Sequence, residues 1–369
     1  MLIPRAVVDA TRPAEARPPR RSKINNQKSK ILIVRPSALG DVARTVPCLV
    51  SLRKAFPGAR IDWLVNAGFV DVVRAHPALD GVVAFDRGRG RSVLGLVREL
   101  RRRRYDAVFD FQGLARSGLL TWGSGATRRV GDANAREFAP LAYTEKHAID
   151  PARHAADRML ALLEAAGVPR AADFTLHVPP EHAGFAETLA PGSSGDGDCL
   201  AVAPTAQWGC KCWPGDRYAG LIERALADGR VAWAAVLSAA HERETLQNQM
   251  RAALPETLHD RVAFPATDVG QMMDVIRGAR LLVGNDSAPL HLAVGLGTPT
   301  VSLFGPTDPA LVGPPPEVFA PLPGGVSHTV LRAPGAAGRK LRYRAQRDDD
   351  TLIAGLTLDD VWTAVAERL

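Results

Sequence analysis

From residue 31 onward the chain alternates short β-branched runs with helix-length segments, and it does so twice. ILIVR (31–35) gives way to the turn-rich PSALGD and a helical stretch to about Phe56. RIDWLV (60–65), a helix near 69–75, VVAF (82–85), a helix near 92–104 and YDAVFDF (105–111) follow. A helix near 152–166 leads to APGSSGDGD (190–198), a Pro/Gly/Ser-rich stretch that reads as linker. The alternation then restarts with CLAVAP (199–204), a helix over 215–228 capped near Gly215-Asp216, VAWAAVL (231–237), a helix over 241–253 and VAF (262–264). A helix near 268–278, LLVG, a helix from 287 and TPTVSLF complete it. Strands separated by helices of this length form βαβ units, hence parallel sheets covered on both faces. The expected fold is therefore α/β, with two Rossmann-like α/β/α domains facing across a cleft.

The expected divisions are a disordered basic arm (1–30), an N-terminal domain (31–178), a linker region (179–198) and a C-terminal domain (199–350). Within the last, 313–350 reads as an irregular charged loop, and 351–369 as a closing helix with Thr357 at its N-cap. Much of the net charge of +7 lies in the arm, where eight Lys/Arg face only Asp9 and Glu15. Rich in Arg and Pro and poor in aromatics, the arm reads as a solvated tail, with weak attraction to an anionic membrane surface as the alternative. The RRRR run at 101–104 ends a helix, where the dipole favours cations.

Hydrophobic content of 46% with 23% charged residues describes a soluble globular chain. No apolar run reaches the roughly 18 residues of a membrane span. Nor does MLIPRAVVDATRPAEARPPRRSK hold the apolar core of a secretory signal, so a cytoplasmic location is expected. Four cysteines (48, 199, 210, 212) make no disulfide framework, and Cys210-Lys-Cys212 lacks companions at zinc spacing. A basic groove interleaved with aromatics is missing, which argues against nucleic acid. Walker lysine loops, HExxH, GxSxG and strand-linked GxGxxG are also absent.

Three stretches carry candidate chemistry. Arg35-Pro-Ser37-Ala-Leu-Gly40-Asp41 follows the first strand, where ligands of parallel sheets bind. Asp41 is either a plain N-cap or a cleft carboxylate able to take a proton. The helix dipole would keep it ionised and weakly basic, which suits a late proton transfer during displacement at an anomeric carbon. Thr205-Ala-Gln-Trp208-Gly-Cys-Lys211 follows the first strand of the second half, offering a hydroxyl and a point charge for phosphate. In VGNDSAPLHLA (283–293) an apolar run breaks at Asn285-Asp286-Ser287 before a helix with Pro289 in its first turn. That helix mouth can bind an anion or sugar hydroxyls, and His291, one turn on, should cluster with Asp286 and Ser287.

At these residues the chain resembles the lipopolysaccharide heptosyltransferases, glycosyltransferase family 9 enzymes of the GT-B fold, and most the heptosyltransferase I branch. ILIVRPSALGDVARTVPCL, YDAVFDFQGLARSG, AREFAPLAYTEKHAID, the Lys211-Cys-Trp-Pro loop, GNDSAPLHLA and VSLFGPTDPALVG carry the resemblance, in order, over about 31–313. It implies inverting transfer, without metal or other cofactor, of heptose from ADP-L-glycero-β-D-manno-heptose to an inner-core Kdo acceptor. Asp41 would then be the base. Lys211 and Thr205 would hold the donor phosphates, Asp286 the sugar hydroxyls, and Ser287, Ala288 and His291 the diphosphate. Glu242 matches a ribose contact and Thr267 a position beside the adenine. Arg35, Ser37, Arg87, Arg89 and Arg91 fall where an anionic Kdo–lipid acceptor would bind, with peripheral contact at the inner membrane. Where family members carry Thr-Gly, this chain has Ser287-Ala288. Another nucleotide-sugar donor, an epimerase on the same fold, or a non-catalytic binding protein are the alternatives.

Overall fold

The structure, a computed structural model, describes residues 28–86, 93–171, 173–191, 199–315, 322–337 and 351–369. The first half runs β1 (Lys30–Val34), α1 (Leu39–Ala55), β2 (Arg60–Asn66), β3 (Gly81–Phe85), α2 (Val93–Arg103) and β4 (Ala107–Asp110). It continues with α3 (Ala115–Gly123), β5 (Arg128–Asp132), β6 (Glu145–His147) and α4 (Ala155–Ala165). The second half runs β7 (Cys199–Ala203), α5 (Gly215–Asp228), β8 (Trp233–Val236), α6 (Arg243–Ala253), β9 (Val262–Ala263) and α7 (Val269–Gly278). Then come β10 (Ala279–Asn285), α8 (Ala288–Leu296), β11 (Thr300–Phe304), α9 (Pro309–Val312), β12 (His328–Arg332) and α10 (Leu358–Ala366).

All pairings are parallel, and the two sheets have the same winding: β3-β2-β1-β4-β5-β6 and β9-β8-β7-β10-β11-β12. In each, strand order reverses beside the first strand, so the crevices open between β1 and β4 and between β7 and β10. The unbroken apolar runs of the central strands follow from burial on both faces. Ile31 and Ile33 of β1 enter one core, whereas Leu32 and Val34 enter another. In β7, Cys199 and Ala201 divide from Leu200 and Val202 in the same way. One apolar cluster runs through both halves, joining α1 and α4 to α7 and α8.

Several elements differ from expectation. The helix near 69–75 is a 3-10 turn, Ala67–Val72, opened by Asn66, which accepts from the Gly68 N–H. Gly68 and the nearby valines are poor helix formers, so only a short turn forms. β5 and β6 carry no apolar run to announce them. Arg128 in β5 pairs with Glu145 in β6 (Nε–Oε2 2.8 Å) and lies over the Phe109 ring. The 313–350 segment is not wholly irregular, because β12 lies within it and pairs with β11 as an edge strand. Gly215 opens α5 and Pro214 is the cap, without a side-chain hydrogen bond. The arm up to residue 27, 192–198 of the expected linker and 338–350 lie outside the described residues.

Asn285, fully buried at the end of β10, fixes the second crevice. Its Oδ1 accepts from the Trp213 N–H (3.1 Å) and the Tyr218 hydroxyl (2.9 Å). Its Nδ2 donates to the Pro204 carbonyl (2.7 Å), where the Lys211 loop begins. Replacing it leaves buried polar groups unpaired, which costs more than an ordinary hydrogen bond. Asn285→Ala is expected to destabilise the chain by about 3 kcal/mol in urea unfolding followed by tryptophan fluorescence. A change within about 0.5 kcal/mol would show that the loop is held otherwise.

Candidate active site between the two sheets

The loop after β1 delivers Asp41 to the first turn of α1, with its side chain 28% exposed. Arg35 Nη2 lies 2.8 Å from Asp41 Oδ2, and Arg44, one turn along the helix, bonds Oδ1. The Ala38 N–H also points at the carboxylate, at 3.4 Å. Burial alone would raise the pKa of Asp41, but the Arg35 and Arg44 guanidiniums outweigh it and hold the carboxyl well below its usual range. Arg158, on α4, belongs to the same group: burial and repulsion by Arg44 and Arg35 lower its pKa, while Asp132 and Asp41 oppose that. Two guanidiniums thus grip one carboxylate, and a third lies within electrostatic reach of them, leaving the pocket cationic.

Across the cleft, β10 ends at Asn285, Asp286 follows it, and Ser287 is the N-cap of α8. Asp286 is buried and accepts from Lys211 Nζ (2.6 Å) and Thr307 Oγ1 (2.7 Å). Burial pushes its pKa up, Lys211 and Thr307 push harder the other way, and the net direction is down. Ser287 makes no side-chain cap, so the α8 N-terminus keeps its N–H groups for other partners. The Ser287 hydroxyl and His291 Nδ1 are buried without a hydrogen-bond partner among the described residues.

His291 is buried where α8 meets α1. A Cβ built on Gly40 would come within 2.6 Å of His291 Cδ2 and 3.4 Å of the Ala288 Cα. Glycine at 40 therefore lets the two helix N-termini close on each other. The imidazole feels both Asp286 and Asp41, yet burial and then Arg44 carry its pKa down to about 3, so it is neutral at ordinary pH. Bonds also cross between the halves: Arg44 Nη1 donates to the Val312 carbonyl (3.2 Å), and His154 Nε2 to the Gly313 carbonyl (3.0 Å).

Thr205 and Glu242 line one depression of about 320 Å³ with Trp213, His241 and Gln249, beside the β7 crevice. Thr267 does not line it and sits just before Asp268, the cap of α7. Ser37 donates its N–H to Gln112 Oε1 (3.2 Å), joining the β1 and β4 loops. Arg87, Arg89 and Arg91 lie outside the described residues. Sequence reasoning missed Arg44, His154, Arg158 and Thr307. Arg44 shows one signal, i+3 spacing from Asp41, whereas the others approach only through the fold. Among the described residues, Asp71, His182 and Asp268 have metal-like proximity where the halves meet. His182 Nε2 faces Asp71 (3.4 Å) and Nδ1 faces Asp268 (3.9 Å), so the ring sits between two carboxylates.

Two like-wound α/β sheets, with a carboxylate at one crevice and a lysine and an open helix N-terminus at the other, have the architecture of the GT-B fold. Comparison with known proteins agrees. The pattern of glycosyltransferase family 9 (heptosyltransferase) matches residues 93–322, and the chain belongs to that family. Lipopolysaccharide heptosyltransferase 1 of Pseudomonas aeruginosa is 32% identical over 304 residues, covering 77% of this chain and 81% of the relative. The Escherichia coli K12 enzyme of the same name is 29% identical over 298 residues, covering 77% and 90%. Among solved structures, E. coli heptosyltransferase WaaC with ADP superposes with a TM-score of 0.67 at 25% identity, covering 92% of this chain and 97% of that one. A family 9 glycosyltransferase from Veillonella parvula gives 0.80 at 22% identity, covering 92% and 96%.

The shifted groups make stability pH-dependent in a stated direction. His291 takes a proton near 6.5 when unfolded but only near 3 when folded, so the unfolded chain binds more protons in between. Stability is therefore lost as pH falls through that window, and Asp41 adds a further loss below its ordinary value of 3.8. The melting temperature should drop between about pH 7 and about pH 5, and drop less in His291→Gln. Equal drops in both proteins would place the acid sensitivity elsewhere.

Proposed function

We propose that this chain transfers a heptose from ADP-L-glycero-β-D-manno-heptose to the Kdo sugar of an anionic lipopolysaccharide core acceptor, with inversion and without a metal. One observation carries the reading: the Asp41 carboxylate and the open α8 N-terminus lie on either side of the close Gly40–His291 packing. An acceptor hydroxyl at the first and a departing diphosphate at the second would be near neighbours. The names of the relatives support the heptose and the lipopolysaccharide. The WaaC structures, titled with ADP and with ADP-2-deoxy-2-fluoro heptose, support the donor.

The acceptor oxygen attacks the anomeric carbon from the face opposite ADP, and its proton passes to Asp41. The bond to the diphosphate breaks, and its electron pair leaves with ADP. Asp41 is a weak base in the field of Arg35 and Arg44, which suits a transition state dominated by leaving-group departure. Lys211, the α8 N–H groups and the Ser287 hydroxyl would take up the charge on the departing diphosphate. Asp286, held by Lys211 and Thr307, is aligned to accept from sugar hydroxyls. Thr205 would help Lys211 hold the donor phosphates, and Glu242 would hold the ribose, with Thr267 toward the base. Arg35, Arg44 and Arg158 form a cationic wall suited to the Kdo carboxylate.

Mass spectrometry of the product from ADP-heptose and Kdo–lipid A tests the reaction; a product without added heptose would sink the proposal. Asp41→Asn should lower kcat about 100-fold or more while ADP affinity, measured by calorimetry, stays within about twofold. Lys211→Ala should show the reverse pattern, with ADP affinity down about tenfold. Arg158→Ala should raise the acceptor KM about fivefold to tenfold and leave the donor KM unchanged, whereas a shift in the donor KM would move Arg158 out of the acceptor site.

A further inference from the structure

The strongest surface feature outside the cleft is an apolar depression of about 450 Å³ between α3 and the turn Ala139–Ala142. Leu119, Trp122, Phe138 and Leu141 line it, exposed by 47%, 55%, 85% and 79%. Exposed apolar side chains scattered singly need no explanation, but four of them around one depression do. The backbone is also bent to display them. Glu137 and Phe138 both adopt left-handed φ angles, 55° and 62°, which non-glycine residues rarely hold. Glu137 turns back to accept from the Ala115 N–H (3.1 Å), so Phe138 is the residue left pointing into solvent.

The rim is cationic. The guanidinium of Arg101, the first of the RRRR run, lies 5.8 Å from the centre of the Trp122 ring, and Arg116 and Arg136 are exposed nearby in sequence. Arg101 is anchored by Nε to the Gly123 carbonyl (3.0 Å), so the charge stays beside the tryptophan. The one carboxylate within the patch, Glu137, is already engaged. The surface is also continuous with the cleft: Ser37 bonds Gln112, and the next residue, Gly113, accepts from the Arg136 N–H (3.0 Å).

We propose that this face docks on a bilayer containing anionic phospholipid, with Phe138, Leu141, Trp122 and Leu119 entering the interface and the arginines pairing with headgroups. The proposal rests on the reading of the acceptor as lipid-borne, and it names the surface that brings the cleft to that lipid. Amphipathic aromatics with basic neighbours favour the headgroup boundary, and each added cation near an anionic surface strengthens binding. A second copy of the chain fits less well, because a two-fold contact would place arginine rim against arginine rim.

The test is co-sedimentation of the full chain with vesicles of phosphatidylethanolamine and phosphatidylglycerol, against vesicles of phosphatidylcholine alone. The chain should bind the anionic vesicles and less so as salt rises. The double variant Phe138→Ser/Leu141→Ser should bind them about tenfold more weakly or worse. Its ADP affinity and its transfer to a deacylated acceptor should match the parent, which shows that it folds. Absence of vesicle binding by the parent, or equal binding by the variant, overturns the proposal. A variant that instead breaks a dimer in light scattering, with vesicle binding unchanged, overturns it in favour of a copy–copy interface. If vesicle binding depends on Phe138 and Leu141 but no heptose reaches the deacylated acceptor, the docking face stands and the proposed reaction falls.

Discussion

The close approach of the two halves at the site turns on the passage of His291 over Gly40. Any side chain at 40 would overlap the imidazole, and helices α1 and α8 would have to separate. Their N-termini carry Asp41 on one side and Ser287 on the other, so the same contact sets how far the carboxylate lies from the open helix mouth. Burial keeps His291 neutral, and a neutral ring between Asp41 and Asp286 neither cancels nor adds to their charges. The contact is thus steric and electrostatically quiet. Arg44 and His154 then brace it by reaching the Val312 and Gly313 carbonyls of the other half.

The chemistry falls at the two topological switch points for a reason that precedes any sequence. In a doubly wound parallel sheet, adjacent loops leave in opposite directions at the reversal of strand order, and a crevice opens between them. Asp41 follows β1 at one reversal. Lys211 follows β7, and Asp286 follows β10, on either side of the other. Asn285 joins those two loops, since it holds the Pro204 carbonyl, the Trp213 N–H and the Tyr218 hydroxyl at once. The Lys211–Asp286 pair is therefore held by a buried amide behind it as well as by its own attraction.

Charge is divided unevenly between the two crevices. Around Asp41 the cations outnumber the carboxylate, which both depresses its basicity and prepares the pocket for an anion. Around Asp286 a single lysine is balanced by a single carboxylate, and the further positive field comes from the helix N-terminus. An anionic acceptor and a diphosphate donor are each met by positive potential of a different origin, fixed side chains in one case and backbone dipoles in the other.

The central strands were legible in the sequence because β1 and β7 are buried on both faces and show as continuous apolar runs. Helices α1, α5, α7, α8 and α10 were legible through periodicity and end signals, as with Thr357, which accepts from the Asp360 N–H. Strands β5, β6 and β12 were not, because they are held by charge pairs, ladder hydrogen bonds and neighbours rather than by an apolar pattern of their own. Asp41, Lys211 and Asp286 stood out as polar breaks at strand ends, a local property that the sequence by itself determined. That Thr307 shares Asp286, and that His291 rests on Gly40, was decided only by tertiary structure. These residues lie far apart along the chain or on facing helices, and no local periodicity encodes a distance that the winding of two sheets creates.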